Sequence, residues 1–161
     1  MSMKKNLHQY WLMKSEPDCY SIDDLQRDTV EPWDGTRNYQ VRNMMRDDMK
    51  VGDLVLFYHS NTKEIGVVGT MVVAGDAYPD PTQFDPKSDH PDPKSDPENP
   101  RWLCVDVRFE SKFPRIVTLA EIKLDPLFAD MPLVKKGNRL SVMPVSKKHF
   151  DEIVKLSKMG T

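Results

Sequence analysis

A chain of 161 residues, 39% hydrophobic, can bury one proper core and is too short for two comfortable domains, so a single folded unit is expected. The formal charge of −2 excludes a protein that coats nucleic acid by net charge alone. That charge is unevenly placed: six acids face two lysines between Asp80 and Pro100, a net of −4 that leaves +2 on the rest.

Cys19 and Cys104 show no metal-type spacing, which fits a reduced protein inside the cell, cytoplasmic or nuclear. No apolar run approaches the roughly 18 residues of a membrane span, so no membrane partner is expected. Met1 to Gln9 is polar and reads as a disordered tail, and residues 10–158 read as one domain.

Tyr10 to Lys14 reads as a strand of mostly large side chains, ended by Ser15-Glu16-Pro17. Ser21, with acids in the following turn, caps a short helix to about Arg27. Glu31-Pro32 leads into Trp33-Asp34-Gly35-Thr36-Arg37-Asn38-Tyr39-Gln40-Val41-Arg42-Asn43, where Asp34-Gly35 is a turn and Thr36 is the expected cap of a helix toward Met45. Indole and phenol rings, guanidinium forks and Asn amides together suit a nucleotide, offering stacking faces, phosphate partners and groups that match base edges.

Leu54 to His59 is a continuous apolar run and fits a central strand. Ile65 to Ala74 is a second β-branched run, and its glycines suggest bends or close backbone approach, so the two form a hairpin in a curved sheet. Residues 75–100 form a Pro- and Asp-rich loop with the near-repeat Asp85-Pro86-Lys87-Ser88-Asp89 and Asp92-Pro93-Lys94-Ser95-Asp96. The loop lacks the Gly and terminal Glu of a calcium-binding hand, and neither metal nor cofactor is expected.

From Leu103 the chain alternates, with Leu103, Val105, Val107 and Phe109 on one face and Cys104, Asp106, Arg108 and Glu110 on a wet one. Phe113 to Val117 continues after a break. Thr118 to Ile122 fits a capping box, and Asp125 to Ala129 adds a turn. Lys135 to Val145 opens with a basic glycine turn and ends extended, and Ser146 caps a final helix that packs on the sheet. Strands scattered among short helices without a βαβ repeat predict an α+β fold around a curved, mostly antiparallel sheet.

The sequence resembles the EVE-domain family. The resemblance rests on Tyr10-Trp11-Leu12-Met13-Lys14-Ser15-Glu16-Pro17, on the Trp33 to Asn43 run, on Gly52-Asp53 with Phe57-Tyr58-His59-Ser60, on Ala77-Tyr78-Pro79-Asp80-Pro81, and on Arg139 to Val145. It implies a PUA-like β-barrel flanked by short helices and a C-terminal helix, related to YTH domains, and a reader of a modified base, modified cytosine in DNA being the leading candidate. Such a site takes Trp11, Trp33 and Tyr58 as ring faces, with Gly35 and Tyr39 completing the pocket. Ser15, Asn38, Asn43 and Ser141 read the base edge, and Lys14, Arg37, Arg42 and Arg139 meet phosphates. Val41 departs from the Ala usual in the family's run, and the acidic loop is not a family requirement.

Two other classes compete with a non-enzymatic reader. A nucleotide-directed enzyme would draw on His59 with Ser60, on Glu16 near Lys14, or on Asp34 as a base, although no Ser-His-Asp, phosphate-loop or zinc pattern accompanies them. A protein-interaction module would use the Pro-rich loop to dock a partner.

Overall fold

The computed structural model describes residues 8–159, so all but the end of the expected N-terminal tail lies outside the described residues. The described residues form seven strands: β1 (Tyr10–Ser15), β2 (Val30–Trp33), β3 (Leu54–His59), β4 (Gly66–Val73), β5 (Tyr78–Pro79), β6 (Leu103–Thr118) and β7 (Val142–Val145). Four helices accompany them, α1 (Ile22–Asp28), α2 (Tyr39–Asp47), α3 (Leu119–Leu124) and α4 (Lys147–Ser157). The ladder runs β2-β6-β4-β3-β1-β7, with β5 pairing β6 off this path. Among the described residues only β1 and β3 pair parallel, and the mixed sheet is open with β2 and β7 at its edges.

The expected α+β arrangement follows from local chemistry. Ser21 and Asp24 close a reciprocal capping box on α1, as Thr118 and Glu121 do on α3, and Ser146 accepts from the His149 amide to start α4. Both faces of the central strands are buried, which explains the unbroken apolar run of β3. Trp11, Met13, Val55 and Phe57 point into one core beneath α1 and α2, while Leu12, Leu56 and Tyr58 point into a second beside α4. Gly69 lies so near Ser111 that a Cβ would strike its carbonyl oxygen, and the β4–β6 register slips on either side of it.

The structure corrects four expectations. Asn38, not Thr36, caps α2, its Oδ1 accepting from the Val41 amide at 3.0 Å, because Asn38 is extended and three residues before that donor. Residues 30–33 form a strand despite Pro32, which a sheet edge tolerates. The break before Phe113 is absent: β6 runs through it, with Pro114 falling where the register shifts. Cys104, placed on the wet face, is fully buried where β6 pairs with β5, in register with Tyr78.

Residues 75–100 are stitched down rather than hanging free. Buried Gln83 donates to the carbonyls of Asp80 and Trp102 and accepts from Ser95 Oγ and the Trp102 amide, fixing both ends of the loop. Each half of the near-repeat makes the same turn, the Asp carboxylate accepting from the Lys amide two residues on.

Candidate functional site

A parallel β1–β3 pair needs a crossover, and here the crossover carries α1, β2, the Trp33 turn and α2 across one face of the sheet. Where it passes the end of β1 it leaves a cleft of about 580 Å³, large enough for one flat heterocycle and its sugar. Lys14 and Ser15 come from β1, Glu31 and Trp33 from β2, Asp34 to Asn38 from the turn, Thr82 and His90 from the loop, and Ser141 from the approach to β7.

The turn is held open by an anion. Gly35 has φ +82°, and its amide donates to Asp80 Oδ2 at 2.7 Å. Arg37 Nη1 donates to the same oxygen at 3.0 Å, and Thr82 supplies its amide and hydroxyl to Oδ1 at 2.8 and 2.6 Å. Burial alone would raise the Asp80 carboxyl, but the hydrogen bonds from Thr82, Gly35 and Arg37 outweigh it and hold the group below its ordinary value. Arg37 also donates to Thr82 Oγ1 and the His90 carbonyl. The His90 ring lies over Gly35, where a Cβ would come within 2.6 Å of it.

Other polar groups in the cleft are unspent. Lys14 forms no ion pair among the described residues, sits 5.5 Å from the Tyr58 ring centroid, and is lowered by burial. Burial raises Glu31 and Asp34, with neighbouring carboxylates adding to the effect. Asn38 has used its oxygen on the α2 cap, which leaves its NH₂ free to donate.

The structure gathers Lys14, Ser15, Trp33, Gly35, Arg37, Asn38 and Ser141 in this cleft. Trp33 is 8% exposed and meets Phe57 edge-on at 5.4 Å, so it forms a wall of the cleft rather than a free stacking face. Arg37 is engaged by Asp80 and the loop, which turns it from a phosphate partner into a clamp. The remaining candidates lie elsewhere. Trp11 is buried with its Nε1 donating to Asp53, and Tyr58 is enclosed in the α4 core. Tyr39 packs on Trp102 at 4.7 Å with Arg42 over its ring, and Asn43 accepts from Arg42. Arg139 is exposed on the basic turn, two residues from Ser141. His59, proposed beside Ser60 for proton transfer, accepts from the Ile22 amide, and burial lowers it.

Sequence reading missed Glu31 as a cleft residue, along with Thr82 and His90, and gave the loop a role only in the competing protein-docking alternative. The run Ala77 to Pro81 was the available signal, since it carries Asp80.

A family model described as the EVE domain matches residues 9–156. The chain belongs to the EVE-domain family. Thymocyte nuclear protein 1 of Homo sapiens is 41% identical over 172 residues, covering 94% of this chain and 75% of that protein. Among solved structures, a Pseudomonas syringae protein superposes on this EVE domain with TM-score 0.89 at 45% identity, covering 92% of this chain and 99% of the other. The human THYN1 protein, in complex with DNA containing 5-methylcytosine, superposes with TM-score 0.88 at 38% identity, covering 95% and 99%.

Proposed function

We propose that this EVE domain is a non-enzymatic, intracellular nucleic-acid-binding module that takes one modified base, a modified cytosine in DNA, into the Trp33 cleft. The observation that carries the reading is the human THYN1 complex with DNA containing 5-methylcytosine, a relative whose fold covers nearly all of both chains. The cleft supplies what such a function requires: a Trp33 wall, unspent hydrogen-bonding groups on Lys14, Asn38 and Ser141, and Arg139 nearby for the backbone. A base enclosed in it must leave the duplex, at a cost of a few kcal/mol that packing against the Trp33 wall and edge contacts offset.

Burying one extra methyl is worth about 0.8 kcal/mol, so the preference for a methylated over a plain base rests on fit as well as on area. Titrating the protein with otherwise identical oligonucleotides carrying cytosine or 5-methylcytosine, at two salt concentrations, tests the reading. Tighter binding of the methylated strand at both salts is expected, with both affinities falling as salt rises. Equal affinities at both salts would refute base reading.

A further inference from the structure

We infer that Asp34 is the residue that selects the base, accepting a hydrogen bond from an exocyclic amino group and rejecting a carbonyl in its place. The inference rests on the cleft being a base site and goes beyond it by assigning the group that is read.

Glu16, Glu31, Asp34 and Asp89 line the cleft and Asp80 braces its turn, and these acids are treated differently. The Asp80 carboxylate takes four hydrogen bonds from Gly35, Arg37 and Thr82 and has no capacity left. Asp34, next to the Trp33 wall, is exposed in the cleft and accepts nothing from any other described residue. An exposed carboxylate with no protein donor is free to exchange its water for a ligand N–H. Lys14 and the Asn38 NH₂ supply the complementary donors in the same cleft.

Acceptor and donors together describe one kind of edge. Cytosine presents its N4 amino group as a donor beside the acceptors N3 and O2, whereas thymine presents the O4 acceptor beside an N3 donor. A carboxylate facing O4 sets two acceptors against each other, which is the arrangement that rejects a near-isostere most strongly. Thymine carries the same 5-methyl group as 5-methylcytosine, so comparing the two isolates the amino group from the methyl.

The experiment measures affinity for single-stranded oligonucleotides of one sequence with 5-methylcytosine or thymine at the central position, so that pairing energy does not enter. Wild type, Asp34→Asn, Asp34→Ala and the remote exposed control Asp130→Asn are compared. Removing any negative charge strengthens binding to both strands alike, so the ratio of the two affinities is the readout. Wild type and Asp130→Asn should prefer 5-methylcytosine by about tenfold or more. Asp34→Ala should bring the ratio below about threefold, and Asp34→Asn should move it toward thymine, because its NH₂ can donate to O4. A wild-type preference that persists in both Asp34 variants overturns the assignment while leaving the base site standing. Failure of the wild type to bind either strand better than an abasic one overturns the base site itself.

Discussion

Replacing Asp80 by Ala should destabilise the EVE domain and free the loop over its cleft. The substitution removes four hydrogen bonds, strands the amides of Gly35 and Thr82, and deprives Arg37 of its carboxylate. Each stranded donor in a buried setting costs about 1–3 kcal/mol, and breaking a buried pair from one side costs about 3–5 kcal/mol. Arg37 keeps the His90 carbonyl and the Thr82 hydroxyl and is partly exposed, so the charge contribution is discounted and a total of about 2–4 kcal/mol is expected. For a chain of this length that corresponds to a fall in Tm of about 4–16 °C. The pH dependence has a definite sign. A carboxyl held below its unfolded value adds stability above about pH 4 that is lost as pH falls through the folded value, so the gap between wild type and Asp80→Ala should narrow in acid. Calorimetry from pH 7 to pH 3, with tryptic cleavage at Lys87 and Lys94 as a local probe, measures both effects. A Tm within about 1 °C of wild type at pH 7, or unchanged cleavage at the two lysines, would refute the anchoring role.

Trp33→Ala should cost about 3–5 kcal/mol, because the ring is a core residue packed on Phe57 before it is a cleft wall, and chemical denaturation would show it. Gly69→Ala should lower Tm by more than about 5 °C, since β4 and β6 must separate to admit the Cβ beside Ser111. Lys14→Ala should weaken oligonucleotide binding by about tenfold with little change in Tm, read by fluorescence titration beside a melt. Asp34→Asn should raise Tm at pH 7. The folded state raises this carboxyl, so its ionisation costs stability above the folded value, and the gain should vanish as pH falls through that value.

Elements set by neighbours in sequence were legible: the caps at Ser21, Thr118 and Ser146 and the doubly buried run of β3 could be read within a few residues of each. Elements set from a distance were not. Val30 to Trp33 becomes a strand only because β6, more than 70 residues later, offers an edge, and nothing in Val-Glu-Pro-Trp announces it. The same holds for the site. Trp11 and Trp33 look alike in a sequence, and what separates them is Asp53 accepting the Trp11 indole N–H, a contact across 42 positions. Arg37, expected to meet phosphates, takes Asp80 as its partner, a loop residue 43 positions away that local sequence does not point to.

The sheet divides the interior into two packed bodies, and the Trp33 wall leans on the one beneath α1 and α2. A lesion behind α4, such as trimming Ile153, should therefore lower the population of folded molecules without reshaping what each survivor grips. Weakened capture in a variant has two separable origins for that reason: scarcity, which is cured by cooling or by adding more protein, and misfit, which is not.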